Sequence, residues 1–303
     1  MRIEFIAGLL APAALAYASC IDGPCNGNVD FCDRKYSNVS LIGAHDSAFV
    51  GPTSDLRVNQ ELNVTAQLNA GIRFLQAQVH FFNNELSMCH TSCAELYAGT
   101  LNDYLTSVKT WLDGNPNDVV SLLLVNGDNN NATQFASVFE AVGLGDTAFV
   151  PATTPNTLPI NDWPTYEDMI FDDTRIVIYL DSGANEAEVP YLLTEFNYFF
   201  ETPYDTTDQN FAECTLDRPA GSSPDGKMYI VNHFLDLAVG NTGILIPFNE
   251  ADYTTNAATG NGSIGAQAAL CTNIYGRVPN VVLVDFFDRG DVFTAQNNLN
   301  GVS

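Results

Sequence analysis

Cations are scarce in this sequence. Its 303 residues hold 11 Lys and Arg against 36 Asp and Glu, a formal net charge of -25. Such a field repels nucleic acid and anionic bilayers, and any anionic substrate must be met by a cation placed locally. Long apolar runs are missing as well. Beyond the N-terminal segment nothing approaches the ~18 residues a spanning helix needs, and the terminal NNLNGVS lacks the tail of a lipid-anchor signal. The seven cysteines contain no paired C-x-x-C set, so disulfides fit them better than zinc. No low-complexity linker and no fixed-period repeat divides the chain.

The N-terminal segment, residues 1–19, has Arg2, an apolar stretch over 5–15 and the small-residue pattern Ala16-Tyr17-Ala18. That is the layout of a secretory signal peptide. Its removal deletes one charge of each sign and leaves residues 20–303, a length that suits one barrel-sized domain with 46% hydrophobic residues. The expected product is an extracellular monomer with no transmembrane segment and no nucleic-acid partner. Four sequons, at Asn38, Asn63, Asn131 and Asn261, agree with a eukaryotic secretory route. In an oxidising compartment, proximity suggests Cys25–Cys32, Cys89–Cys93 and Cys214–Cys271, with Cys20 left over.

Strand-like runs at 39–44, 72–82, 119–125, 175–180, 228–231 and 281–287 alternate with helix-like stretches at 64–70, 101–112, 134–142 and 264–274. Near-continuous apolar strands separated by helices imply an α/β fold with a covered parallel sheet, either a closed barrel or an open doubly wound sheet. The polar residues favour the barrel. His45 and Asp46, Asn126, Asp181, Asn232 and His233, and Asp285 all fall at or just after C-terminal strand ends, which converge only if the sheet closes. Each residue also has a plainer reading as a cap or turn. For Asn126, followed by Gly127 and Asp128, that reading is the stronger one.

Two histidine settings carry the chemistry: LIGAHDS around His45 and SMCHTSC around His90. With GIRFLQAQ at 71–78, the helix-like stretch leading into 119–126, and the final VVLVDFF, they resemble the X-domain of phosphatidylinositol-specific phospholipases C. The likeness is closer still to secreted fungal PLC-like phosphodiesterases. It covers 31–126 most fully and rests afterwards on the last strand. It implies a distorted TIM-type (β/α)8 barrel, often not fully closed, and two-histidine cleavage of a phospholipid or phosphoinositide-type diester. By motif, His45 matches the general base and His90 the general acid. Asp46 matches the aspartate following the first histidine, and Asp285 the carboxylate that orients a catalytic histidine. A neighbouring hydroxyl must lose a proton as it attacks phosphorus while the leaving oxygen gains one, so two groups titrating near neutrality are needed.

One departure stands out. Where bacterial relatives carry a D-x-R pair, this chain has Gln76 and Gln78, and strand alternation puts Arg73 on the other face. A neutral donor is roughly half as strong as a charge-assisted one toward an anionic oxygen. Arg57, in the loop after His45, is the candidate replacement cation, with a solvated loop arginine as the alternative. The expected substrate-binding set is therefore Gln76, Gln78, Arg57, Asn126, Asp181 and His233. His80 and His233 each read as pocket-lining or as packed histidines. No cofactor is expected; relatives that use calcium or magnesium surround the site with carboxylates, and here only Asp46, Asp181 or Asp285 are available for such an ion. Two functions remain open: a phosphodiesterase, or an impaired barrel that binds a sugar, lipid or cell-wall component.

Overall fold

The computed structural model describes residues 22–302, so the expected leader and Cys20 lie outside the described residues. In chain order the strands are β1 (Leu41–Ala44), β2 (Phe74–Phe82), β3 (Glu85–His90), β4 (Leu96–Thr100), β5 (Val120–Asn126) and β6 (Ile176–Leu180). They continue with β7 (Leu192–Thr194), β8 (Phe199–Glu201), β9 (Met228–Asn232), β10 (Asp236–Ala238), β11 (Leu245–Pro247) and β12 (Val281–Val284). The main sheet runs β7-β6-β5-β2-β1-β12-β9-β8, every neighbouring pair parallel. Among the described residues no ladder joins β7 to β8, so the sheet curls into an eight-stranded half-barrel with one open seam.

Period-two alternation divides the core into two layers. Ile42, Leu75, Leu122, Ile178, Val231 and Val282 face the surrounding helices. Leu41, Phe74, Leu123, Tyr179, Ile230 and Leu283 fill the barrel interior. Gly43 of β1 lies on the inner phase, where an added Cβ would stand 2.7 Å from Leu283 Cδ2 and displace that side chain, so glycine leaves the barrel interior room to pack. The helix Leu101–Gly114 forms because Thr100 accepts from the Asp103 N–H at its start and Leu101, Tyr104, Leu105, Val108 and Leu112 make one apolar stripe. All three expected disulfides are present: Cys25–Cys32, Cys89–Cys93 and Cys214–Cys271.

The alternating parallel pattern is as expected, while three pieces differ. Strand β2 turns through Asn83 and Asn84, both at positive φ (51° and 67°), into the antiparallel β3 and β4. A two-residue Asn-Asn loop between strands is a primed-turn signature, and it makes the tongue that carries His90. The short β7 and β8 lack the length that periodicity needs. The hairpin β10–β11 is a separate two-stranded ribbon whose two strands are only three residues each.

Candidate active site

The inner phase carries past the strand ends to His45 after β1, Gln76 and Gln78 on β2, Glu201 on β8, Asn232 on β9 and Asp285 after β12. All but Asp285 line a cleft of about 370 Å³ at the C-terminal end of the half-barrel, and His90 reaches it from the tongue. Asp285 stands behind His45, its Oδ1 2.7 Å from Nδ1. A carboxylate accepts, so His45 Nδ1 is the donor and Nε2 is left for chemistry. Asn59 fixes Asp285 by donating Nδ2 to both oxygens at 3.1 Å. Phe234 stacks on the His45 ring with centroids 3.7 Å apart.

His90 is set by the same logic. Its Nδ1 donates to the Arg57 carbonyl at 2.7 Å, its ring stacks on Phe49, and its Nε2 is therefore also the exchangeable nitrogen. Both Nε2 atoms face one oxygen: Asp46 Oδ2 lies 3.5 Å from that of His45 and 3.3 Å from that of His90. Asp46 reaches this position by turning the chain at φ 45°, with its N–H donating to Gln76 Oε1 at 2.7 Å. Burial opposes a charged His45, yet Asp46 and Asp285 outweigh it and push its pKa up to about 9. Burial likewise opposes charge on His90 and is overcome by Asp46, which raises it. Burial disfavours the Asp46 carboxylate, but His45 and His90 hold it below its ordinary range. At neutral pH His45 is therefore an imidazolium, and one buried carboxylate faces both rings.

Gln76 and Gln78 line the cleft, but their polar atoms are engaged in scaffolding. Gln78 Nε2 donates to Asp46 Oδ2 at 3.0 Å, and its Oε1 accepts from the Thr91 N–H at 2.9 Å, tying Asp46 to the His90 loop. Four expected residues are placed elsewhere. The Arg57 side chain is half exposed, held by Asp55 at 2.6 Å and by the Glu95 carbonyl, and contributes only its own carbonyl to His90. Asn126 is on the outer phase of β5 and its amide closes the turn to Asn130. His233 is on the outer phase of β9, fully buried, with its ring nitrogens bonded to Gln267 and the Thr255 carbonyl. Asp181 accepts the Asn126 N–H at 2.8 Å and lies outside the lining. His80 is held by Asp128 at 3.1 Å, also outside it.

The cation of the cleft is Arg218, which no sequence pattern indicated. It follows an irregular stretch with neither helical nor strand period, and β-bridge pairing to Glu201 brings it inward. Its Nε and Nη2 donate to the two Glu201 oxygens at 3.0 Å each, and its guanidinium lies over the Tyr204 ring at 5.1 Å. Asn59, Asp205 and Asp236 are further pocket residues that sequence reading missed, since all three sit in loops or at the short hairpin. Burial, then the nearby Asp285 charge, pushes Asp236 up to about 7. The carboxylates available for a divalent ion do not converge: Asp46 is taken by the histidines, Asp285 by His45 and Asn59, and Asp181 by Asn126. Among the described residues no cluster of three His, Cys, Asp or Glu is arranged to hold a metal.

Comparison with known proteins bears on the family and the fold. The family model PI-PLC X 1 matches residues 31–300. The chain is 50% identical over 280 residues to PI-PLC X domain-containing protein 1 of Arthroderma benhamiae, covering 92% of this chain and 90% of that one. It is 42% identical to an uncharacterized secreted protein of the same fungus, covering 92% of this chain and 64% of the relative. Among solved structures, phosphatidylinositol-specific phospholipase C from Listeria monocytogenes superimposes with a TM-score of 0.57 at 15% identity, over 90% of this chain and 96% of that one. Among the described residues no helix is long and apolar enough to cross a membrane.

Proposed function

The chain belongs to the PI-PLC X-domain family, and from that premise we propose that it is an extracellular phosphodiesterase cleaving a lipid-linked diester whose head group bears a hydroxyl next to the phosphate. The observation that carries this reading is the pair of imidazoles whose Nε2 atoms meet at Asp46 in one cleft. His45, once neutral, takes the proton of the neighbouring hydroxyl as its oxygen bonds phosphorus. His90 gives its proton to the departing alcohol oxygen as the old P–O bond breaks, and a cyclic phosphate remains. Asp285 holds His45 in the required tautomer, and Asp46 compensates the charge that passes between the two rings.

Anion binding falls to Arg218 rather than to β2. One edge of the guanidinium, Nε and Nη2, is fixed by Glu201, while Nη1 makes no protein hydrogen bond among the described residues, leaving donors for a phosphate oxygen. A lipid-linked ester is supported by the mouth of the cleft. Leu245 and Pro247 line it, and Leu237, Val239 and Ile244 of the same hairpin are exposed, in a stretch without a charged residue between Asp236 and Glu250. Secretion is supported by the leader-like N-terminus, the three disulfides and the exposure of Asn38, Asn63, Asn131 and Asn261.

A panel of phosphodiesters, with and without calcium, tests the reading. Turnover of at least one is expected, lost in both His45→Ala and His90→Ala while the fold is kept. A second reading, a non-catalytic barrel that binds a sugar, lipid or cell-wall component, draws on the engagement of Gln76 and Gln78 in scaffolding. Binding without turnover across the panel would decide for it.

A further inference from the structure

The ten cations among the described residues fall into two groups. Arg57, Arg73, Lys109, Arg175, Arg218 and Arg289 each have a carboxylate within ion-pair distance. Arg34, Lys35, Lys227 and Arg277 have none among the described residues, in a chain with 36 acidic residues. All four lie toward the N-terminal end of the strands, opposite the histidine cleft: Arg34 and Lys35 precede β1, Lys227 precedes β9, and Arg277 precedes β12. They donate to neutral acceptors instead. Arg34 Nη1 bonds the Asn300 carbonyl, Lys35 Nζ that of Asn161, Lys227 Nζ that of Phe196, and Arg277 the Lys227 carbonyl and Asn280 Oδ1.

Lys35 and Arg277 share a groove of about 320 Å³, walled also by Ser37, Asn38, Asn161 and Asn280 and without any carboxylate. Arg277 is half-buried there over the Tyr229 ring at 4.9 Å, and burial holds its pKa below the ordinary range. A guanidinium taken partly out of water without a counter-charge is costly, and a bound anion removes that cost. The remaining N–H groups of Lys35 and Arg277 suit a tetrahedral oxyanion, whereas the amide of Asn161 suits hydroxyls. The groove is also of the size that holds a small organic ligand.

We propose that this groove is a second binding site, separate from the histidine cleft, for a sugar carrying a phosphate or sulfate ester. The test is titration of the mature protein, produced without N-glycosylation, with a hexose 6-phosphate, a hexose 6-sulfate and the unsubstituted hexose at constant ionic strength, followed by amide NMR. Production without glycans keeps Asn38, which is on the groove wall and heads a sequon, as an unmodified amide. Shifts are expected at 35–40 and 277–280, with at least one ester binding tenfold or more tighter than the hexose, and the ratio of the two esters identifies the group preferred. Affinity should fall at least tenfold in Lys35→Gln and in Arg277→Gln and persist in His45→Ala, so that failure of the proposed catalysis leaves this result standing. Arg277 also packs on Tyr229, so exposed Lys35 decides should Arg277→Gln not fold. Shifts confined to the histidine cleft, or groove binding undiminished in Lys35→Gln, overturn the proposal.

Discussion

At the C-terminal end of the half-barrel Arg218 is gripped along one edge by Glu201, and both His45 and His90 face Asp46; at the N-terminal end Arg277 and Lys35 meet only carbonyl and amide oxygens. The histidine cleft at one end and the Lys35–Arg277 groove at the other are therefore opposite electrostatic settings on one parallel sheet, even though Arg73 and Arg175, just before β2 and β6, are paired with Asp118 and Asp173. In the proposed catalytic cleft each cation has a carboxylate that fixes its orientation and its charge. Where the cations have no such partner, the nearest way to neutralise them is a ligand. Bulk charge hides this division, because a net -25 describes the field at a distance and says nothing of a wall lined by Lys35 and Arg277.

The largest expected effect separates the two ends outright. His45→Ala and His90→Ala should each lower diester turnover by about 10²–10⁴-fold, the range for one positioned acid or base, with circular dichroism unchanged. Retained turnover in either variant would refute the roles assigned to the cleft. Next comes the Arg218–Glu201 pair. Arg218→Gln leaves a carboxylate buried on β8 without its cation, at an expected cost of about 3 kcal/mol in denaturant unfolding, and reduces turnover about 10–100-fold through a lost charge-assisted hydrogen bond. In Glu201→Gln/Arg218→Gln the stability should largely return and the turnover should not. Recovery of both would mean that Arg218 only balances Glu201.

Proton affinity gives a finer contrast. With His45 as the proposed base, the free protein needs that ring neutral, so kcat/KM should climb with pH toward a limb near 9. Asp285→Asn removes one charge that stabilises the imidazolium, and the limb should move down toward the ordinary 6.5. Because Asp46 serves both rings, the limb belongs to the pair, and the direction of the shift is the measurement that counts. Stability follows the same group. With a folded pKa above the unfolded one, the His45 contribution is fully present below 6.5 and is lost as pH rises through about 9. A limb that stays in place in Asp285→Asn would remove Asp285 from the mechanism.

How much of this was legible beforehand follows strand phase. The inner-phase residues His45, Gln76, Gln78 and Asp285 could be placed because apolar alternation runs continuously up to them. Asn126 and His233 lie one position out of phase, and a single residue turns a side chain from the cleft to the helix layer. Only a firm strand end separates the two cases, and sequence gives strand ends least well. Arg57 illustrates a different failure: proximity in the chain to His45 brought its carbonyl to His90 while Asp55 captured its side chain. Arg218 was invisible for the converse reason. Its place depends on a pairing with Glu201, 17 residues earlier, inside a stretch with no period to read.

The smallest effect tests whether the C-terminal end faces a lipid surface. Ile244, at the outer edge of the β10–β11 hairpin, is 57% exposed and lies outside the lining of the cleft. If the hairpin rests on a bilayer, burying one such side chain is worth about 1.5–3 kcal/mol, and a carboxylate in its place reverses the sign. Ile244→Asp should therefore lower turnover about tenfold when the ester is carried in phosphatidylcholine vesicles and leave turnover of its soluble short-chain counterpart unchanged. A neutral vesicle is the right probe, because a protein of charge -25 is repelled by an anionic one before the hairpin can touch it. Equal rates for the wild type and the variant on vesicles would leave the cleft with its chemistry but detach it from the membrane.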